Sequence, residues 1–345
     1  MKVSSKAVLL TSLTLIILLV GFSGVGYAQD KPIKIGITQI VEHPALNAVR
    51  DAVVDTVTSA GYERGKNVKF LLKNAQGDMN NAISIAQTFK AEGVDYVVSI
   101  ATPTSVAAAQ VLKDTPIVVS AVTNFVEAGL VESFEDYENP ENNGNITGIS
   151  DQVPVKAQFE LIKQLVPSVD AVGNIFNSGE ANSAFLTELA RQVTDEMGIK
   201  LLEATASSSA EVSAAAQSLK GRVDAVWVST DNTVVSALPV VSKMTKEEGI
   251  PLVVADPTSI KEGSMVGYGF DYYSHGLRAG DILLEVMGGK APNEIPIQVM
   301  QAEDLTLALN IDYAREIGYD FSTELLKQAD QMVLGDQIWK KETSE

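Results

Sequence analysis

The chain has 345 residues, no cysteine and a formal net charge of −18 at pH 7. Without cysteine, disulfide bonds and thiolate metal ligands are excluded, and so much negative charge argues against a nucleic-acid partner. The length is sufficient for two domains of ordinary size.

The first 28 residues have the order of a secretory signal peptide. Lys2 and Lys6 precede an apolar run at residues 7–20, and residues 26–28 end in a small residue that suits a signal peptidase. An uncleaved anchor is the alternative, because residues 7–28 carry no charge and are long enough to span a membrane. We expect cleavage before Gln29 and a periplasmic protein with no stable membrane anchor, since no cysteine is present to carry a lipid.

From residue 33 the chain alternates short β-branched runs with longer helical patterns. Strands are predicted at residues 33–38, 68–72, 96–100 and 117–122, and helices at residues 45–60, 79–92 and 104–112. Continuous apolar strands separated by helices predict a parallel sheet that helices cover on both faces. Residues 132–145, rich in Glu, Asn, Pro and Gly, are predicted to form a solvated loop.

The same order of elements then repeats. Strands are predicted at residues 171–176, 201–204, 225–228 and 252–254, and helices at residues 184–197, 210–219 and 233–247. Local sequence supports the correspondence, because Val94-Asp95-Tyr96-Val97-Val98 has a counterpart in Val223-Asp224-Ala225-Val226-Trp227. The sequence therefore predicts an α/β protein with two doubly wound parallel-sheet lobes.

Three segments are predicted to connect the lobes and to form a hinge. They are the strand at residues 146–150, the strand at residues 265–270 with its helix at 274–287, and the strand at residues 305–309. The N-terminal lobe is predicted at residues 29–147 plus about 271–303. The C-terminal lobe is predicted at residues 148–270 plus about 304–336, followed by a flexible tail at residues 337–345.

Strong catalytic motifs are missing from the sequence. It has no phosphate-binding P-loop and no Gly-x-Ser-x-Gly nucleophile elbow. His43 and His275 are the only histidines, so a zinc site would need carboxylates almost alone. We therefore expect no catalytic residue, no cofactor and no metal, and a protein that is not an enzyme.

The loops after the predicted strands are rich in hydroxyl and amide side chains. Ligands of open parallel sheets bind beyond the carboxyl ends of the strands, so these loops should face a common cleft. Free backbone N–H groups at a helix start, with Ser and Thr hydroxyls, are suited to a carboxylate. Thr102 and Thr104 can either contact such a ligand or cap the helix after Pro103, and the two roles are compatible.

Two acidic residues and one aromatic residue also lie at predicted strand ends. Asp231 and Asp256 each follow a strand inside the predicted cleft, although Asp231 can equally be a helix N-cap. Trp227 is either a core residue or the aromatic wall of a pocket.

Several strings of the sequence together resemble the tryptophan/tyrosine-type substrate-binding proteins of ABC transporters. The resemblance covers about the whole mature chain and is carried by strings such as Asn74-Ala75-Gln76-Gly77-Asp78, Ala101-Thr102-Pro103-Thr104, Asn177-Ser178-Gly179-Glu180-Ala181-Asn182-Ser183, Thr230-Asp231-Asn232-Thr233 and Gly269-Phe270-Asp271-Tyr272-Tyr273. It implies the type I periplasmic-binding fold, an ABC transporter permease as partner and, from characterised members, an aromatic amino acid as ligand.

The resemblance also implies a carboxylate site in the N-terminal lobe. That site would be formed by Thr102, Thr104, Ser105 and Thr123.

In the C-terminal lobe, the resemblance implies that Asp231, or Asp256 as second choice, pairs with an α-ammonium group. Ser178 and Asn182 would add hydrogen bonds, and Trp227 would line an apolar side-chain pocket.

The function that we expect is therefore a monomeric periplasmic receptor of an ABC importer. Its ligand would be a small organic molecule, an aromatic or other apolar amino acid, held between the lobes. A sensory binding protein that docks on a chemoreceptor or signalling kinase through the same fold is the alternative.

Overall fold

The computed structural model of the chain describes residues 31–341. The predicted signal peptide and the predicted cleavage point before Gln29 lie outside the described residues. None of the helices in the described part has the length and apolar character needed to cross a membrane.

The strands of residues 31–341 carry numbers in chain order. They are β1 (Ile33–Gln39), β2 (Val68–Asn74), β3 (Tyr96–Ile100), β4 (Ile117–Val122), β5 (Ile146–Ser150), β6 (Ala171–Phe176), β7 (Lys200–Thr205), β8 (Ala225–Val228), β9 (Leu252–Val254), β10 (Val266–Phe270), β11 (Gln298–Val299), β12 (Leu305–Asn310), β13 (Gln331–Leu334) and β14 (Gln337–Lys340).

The α-helices of the same residues are numbered likewise. They are α1 (Pro44–Ser59), α2 (Met79–Glu92), α3 (Thr102–Val111), α4 (Glu135–Glu138), α5 (Val155–Leu165), α6 (Ala181–Met197), α7 (Val212–Leu219), α8 (Asn232–Val235), α9 (Leu238–Glu248), α10 (Tyr272–Met287), α11 (Ile311–Glu316) and α12 (Thr323–Gln328).

The N-terminal lobe is built on a sheet with the strand order β11-β5-β4-β3-β1-β2, in which all neighbouring strands are parallel. Helix α10 belongs to this lobe because it packs closely against α1. Two glycines permit the contact: a Cβ on Gly276 would lie 2.7 Å from Val49 Cα, and one on Gly280 would lie 2.5 Å from Thr56 Cβ. The start of α10 is thereby fixed against the N-terminal lobe.

The C-terminal lobe is built on a sheet with the strand order β14-β13-β12-β10-β9-β8-β6-β7. Strands β6 to β10 are parallel, whereas β12 pairs antiparallel with β10 and β14 pairs antiparallel with β13. Strands β6, β8 and β9 are buried along their whole length, as expected of strands that helices cover on both faces.

The chain passes between the two sheets three times. The crossings lie after β5, at residues 151–154, between β10 and α10, at residue 271, and between β11 and β12, at residues 300–304. The prediction of two doubly wound α/β lobes joined by a three-crossing hinge is confirmed, and the carboxyl ends of both parallel sheets face the region between the lobes.

Two predicted boundaries differ from the structure. Strand β5 pairs with β4 and β11 over its length, so the predicted boundary at residues 147/148 cuts a strand of the N-terminal sheet. Residues 337–340 form strand β14, because they pair with β13, and are not part of a flexible tail.

Other differences concern helical segments. The helix predicted at residues 233–247 is two helices, α8 and α9, because Pro239 at the second position of α9 has no N–H with which to continue a helix from α8. Helix α5 was not predicted, and the predicted loop at 132–145 contains the short helix α4 and a 3₁₀ turn at residues 140–142.

Candidate functional site

A cavity of about 460 Å³, which we call the large cavity, lies between the carboxyl ends of the two sheets. This volume is within the ~300–1,000 Å³ range of small-molecule sites. The N-terminal lobe lines it mostly with apolar side chains, from residues Ile40, Val41, Gln76, Gly77, Met79, Thr102, Pro103 and Val106. The C-terminal lobe lines it mostly with polar side chains, from residues Asn177, Gly179, Glu180, Ala181, Ser207, Ser208, Ser209, Asn232, Thr233 and Ser236.

Helix α3 directs its N-terminus toward this cavity, and no side chain caps it. Its N-cap residue, Ala101, has a φ of +81°, a backbone conformation that residues other than glycine rarely adopt. Thr102 lines the cavity, is buried, and its hydroxyl has no hydrogen-bond partner among the described residues. An acceptor group of a ligand placed here could accept hydrogen bonds from the free backbone N–H groups and also from this hydroxyl.

The other residues predicted for a carboxylate site have partners inside the protein. The Thr104 hydroxyl donates to the Ile100 carbonyl, 2.5 Å away, and the Ser105 hydroxyl donates to the Ala101 carbonyl at 2.9 Å. Neither residue lines the cavity. Of the predicted residues in this loop, only Thr102 is therefore placed for direct contact.

Glu180, which the sequence analysis did not single out, is the only charged residue among the described residues lining the large cavity. Its Oε1 accepts hydrogen bonds from the Thr233 backbone N–H (3.1 Å) and hydroxyl (2.7 Å). Its Oε2 accepts from the Asn232 backbone N–H (3.3 Å) and side-chain amide (2.6 Å). These bonds hold a buried carboxylate at the start of α8, facing the N-terminal lobe.

The two residues predicted to add hydrogen bonds from the same loop occupy different environments. Ser178 is exposed and does not line the cavity, although its neighbours Asn177 and Gly179 do. Asn182 is buried, and its side-chain amide donates to the Thr230 carbonyl at 2.7 Å while its Oδ1 has no partner in the described part of the chain.

A second, smaller cavity of about 20 Å³ lies nearer the crossings, and we call it the floor cavity. Its volume allows one water-sized group. Its lining consists of His43, Ala45, Leu46, Ala121, Asp151, Thr230, Asp231, Asn232, Val235, Asp256 and Tyr272. Asn232 lines both cavities, so the floor cavity adjoins the large one.

Asp231 is the N-cap of α8 and is fully buried. Its Oδ1 accepts a hydrogen bond from the Val234 N–H at 2.8 Å, and its Oδ2 accepts from the Asn177 N–H at 2.6 Å and from the Ser183 hydroxyl. Burial raises the pKa of Asp231 to about 7, and the nearby negative charge of Glu180 contributes. Within the protein, Asp231 therefore acts as the helix N-cap that was one of the two alternatives. Its pairing with an ammonium group stays a prediction.

Asp256 has an equivalent position after β9. It is the N-cap of a 3₁₀ helix at residues 257–262 and accepts from the Thr258 N–H at 2.8 Å and from the Ser259 hydroxyl. Burial raises its pKa to about 6. Like Asp231, it lines the floor cavity.

Asp151, in the first crossing, completes the group of buried carboxylates and was missed by the sequence analysis. It accepts hydrogen bonds from the Tyr272 hydroxyl at 2.5 Å and from the Thr123 hydroxyl at 3.2 Å, and burial raises its pKa. The Thr123 hydroxyl also lies 3.3 Å from the Thr230 hydroxyl, so the two lobes touch directly beside the floor cavity. Thr123 lines neither cavity, although it was predicted to bind a carboxylate.

Positive charge is missing from the floor cavity. No Lys or Arg is among its described lining residues, and burial lowers the pKa of His43 to about 4, so its ring is neutral at physiological pH. Among the described residues, Asp151, Asp231 and Asp256 are therefore stabilised by hydrogen bonds and by their raised pKa values, and not by a positive side chain of this cavity.

The structure corrects the prediction for Trp227. Its side chain is fully buried in the C-terminal lobe, where its Nε1–H donates to Gln158 Oε1 at 2.9 Å and its ring packs on Phe159 at 5.2 Å. Successive side chains of a strand point to opposite faces of the sheet, and Trp227 points to the α5 side. The apolar wall of the cavity comes instead from the N-terminal lobe.

The sequence of this chain is similar to those of known proteins. Residues 34–333 match the family described as ABC transporter substrate binding protein. The chain is 35% identical over 279 residues to the tyrosine-binding protein of Clostridioides difficile, covering 81% of this chain and 79% of that protein.

Two solved structures are also similar. A conserved domain protein from Vibrio cholerae shares 37% identity with a TM-score of 0.83, and an ABC domain in complex with L-Trp from Streptococcus pneumoniae shares 29% identity with a TM-score of 0.81. Each match covers 88% of this chain and the whole of the other.

Replacement of Asp256 by Asn tests the desolvation of the cleft carboxylates. The folded pKa of about 6 lies above the ordinary value of 3.8. The contribution of the Asp256 carboxyl to the free energy of unfolding is therefore fully present below about pH 3.8 and is lost as the pH rises through about 6. Relative to Asp256→Asn, the wild-type protein should gain up to about 3 kcal/mol of unfolding free energy between pH 8 and pH 4, at ~1.4 kcal/mol for each pH unit between the two pKa values.

The measurement is urea denaturation of both proteins across that pH range. Asn can still accept the Thr258 N–H, so the cap is retained and only the titration is removed. Parallel pH profiles for the two proteins would show that the pKa of Asp256 is not raised in the folded protein.

Proposed function

The chain belongs to the ABC transporter substrate-binding protein family, and from this premise we propose that it is the receptor of an importer for an aromatic or other apolar amino acid. The family is one of substrate-binding proteins and not a class of enzymes. The observation that carries the proposal is the large cavity, with an apolar wall from one lobe and a polar, acidic wall from the other.

The carboxylate of the ligand would bind at the N-terminus of α3. A helix N-terminus carries partial positive charge from its unsatisfied N–H groups, and no side chain caps this one. The unpartnered hydroxyl of Thr102 supplies a further donor at the same place.

The ammonium of the ligand would bind where the two cavities meet, between Glu180 and Asp231. Repulsion between these two carboxylates contributes to the raised pKa of Asp231, so a cation placed between them is stabilised by both. Asn232 lines both cavities at this junction.

The side chain of the ligand would lie against the apolar wall of the N-terminal lobe, which includes Ile40, Val41, Met79, Pro103 and Val106. The printed names of two similar proteins, a tyrosine-binding protein and an ABC domain in complex with L-Trp, support an aromatic side chain. Because each lobe supplies a different part of the contacts, the ligand favours the closed arrangement of the lobes.

Calorimetric titration with amino acids and with analogues that lack one charge tests this proposal. We expect L-tyrosine or L-tryptophan to bind at about micromolar Kd, or ~8 kcal/mol. Tyramine lacks the carboxylate and 3-(4-hydroxyphenyl)propionate lacks the ammonium, and each should bind at least about thirtyfold more weakly than L-tyrosine, as expected when a buried charge loses its partner. Equal binding of L-tyrosine and the propionate would contradict an acidic ammonium site.

A pair of variants on the same stretch of chain sharpens the test. Glu180→Gln removes the charge in the cavity, and Glu188→Gln makes the same change on the exposed face of α6. Only the first should weaken binding, by about tenfold or more, since it leaves the ammonium without one of its partners.

We also propose that the protein acts outside the cytoplasmic membrane, as a monomer, and delivers its ligand to an ABC transporter permease. The composition of residues 1–28 supports export, with cleavage after Ala28. Native mass spectrometry of the exported protein should give a monomer that begins at Gln29. A mass that includes residues 1–28 would favour a retained anchor, and a dimer mass would contradict the monomer.

A further inference from the structure

The first turn of α10 presents two buried rings to the ligand-facing ends of β4 and β5. The Tyr272 hydroxyl donates to Asp151 at 2.5 Å, and His275 Nε2 accepts the backbone N–H of Ala121 at 3.0 Å. The two rings lie 5.8 Å apart, and His275 is fully buried. Because α10 packs on α1, these rings are fixed within the N-terminal lobe.

Ala121 has an unusual backbone for its residue type. Its φ of +53° lies in the left-handed region, which is strained for a residue other than glycine and persists only where the surroundings enforce it. The pairing of β4 with β5 shifts register between Val119 and Val122, and the Ala121 N–H bonds to His275 instead of to the sheet. The imidazole of His275 therefore holds this turn by accepting the Ala121 N–H, which has no partner in the sheet.

This turn shapes the site between the lobes. Ala121 lines the floor cavity, and two residues later the Thr123 hydroxyl contacts both Asp151 and Thr230 of the other lobe. We propose that His275 is a positioning residue for the ligand site, because its ring holds the left-handed turn at Ala121 and thereby places Thr123 against the other lobe. The inference rests on the proposed function, since it concerns the same cleft.

The role requires one protonation state of the ring. A histidine nitrogen accepts a hydrogen bond only when it is unprotonated, so the ring must be neutral with its proton on Nδ1. Burial lowers the pKa of His275 to about 3, and the positive charge of Arg278 contributes. The ring is thus a constant acceptor across the physiological range of pH.

Three variants test the proposal by calorimetric titration with L-tyrosine and by urea denaturation. His275→Leu keeps the volume and removes the acceptor, and should weaken binding by about tenfold or more, equivalent to ~1.4 kcal/mol. His275→Gln retains an acceptor, the amide oxygen, and should bind within about threefold of wild type. Leu283→Ala, a core change further along α10, should lower stability and leave the affinity unchanged.

Wild-type affinity in His275→Leu, or an equal loss in Leu283→Ala, would overturn the positioning role. Failure of the wild-type protein to bind any aromatic amino acid would instead overturn the proposed function.

A spectroscopic test requires no ligand. The sequence contains two histidines, so ¹⁵N-histidine labelling gives two ring systems, and a His43→Gln variant assigns them. We expect the His275 ring to remain neutral between pH 5 and 8, with Nδ1 protonated and Nε2 unprotonated. Protonation on Nε2, or titration near pH 6.5, would overturn the proposal.

Discussion

The burial of three carboxylates without a positive side chain is the constraint on which the cleft depends. Asp151, Asp231 and Asp256 are each at most 2% exposed and all line the floor cavity. An ionised carboxylate that leaves water without a partner is costly, and here the charge is met only by hydrogen bonds and by a raised pKa. Each hydrogen bond holds the backbone or side chain of a neighbouring loop or helix start. The three acids therefore also fix the positions of the loops that follow the strands of the two lobes.

In the function that we propose, a cation completes this site electrostatically. Glu180 adds a fourth carboxylate at the edge of the large cavity, and its charge raises the pKa of Asp231 further. The uncapped start of α3 provides the opposite polarity across the same cavity. A zwitterion with an apolar side chain matches the acidic edge, the helix terminus and the apolar wall together, which a sugar or a simple carboxylate would not.

The strands of the two sheets could be predicted well from the sequence, because the pattern that indicates a strand lies within a few neighbouring residues. Strands β3, β4, β6 and β8 were predicted with the bounds that the structure has, since each is a short apolar run between turn residues. The cleft was harder, because its contacts join residues far apart in the chain. Asp151 follows a strand whose pattern indicates only a crossing, and Glu180 lies in a loop in which the hydroxyl and amide side chains give the stronger signal. For Trp227 the sequence leaves the core and the cleft as alternatives, because the face to which a buried strand residue points does not follow from a continuous apolar run.

If the cleft recognises a cation through the ionised form of Asp231, binding changes the protonation of this group, and the number of protons released on binding measures that change. Burial and the charge of Glu180 raise the pKa of Asp231 to about 7, so part of the free protein carries a proton on this group at pH 7. An ammonium bound beside it stabilises the charged form, so titration of L-tyrosine at pH 7 in buffers of different ionisation enthalpy should show release of a fraction of a proton for each ligand bound. The release should become smaller in Asp231→Asn. A binding enthalpy that is independent of the buffer, or uptake of protons, would show that Asp231 does not pair with the ammonium of the ligand.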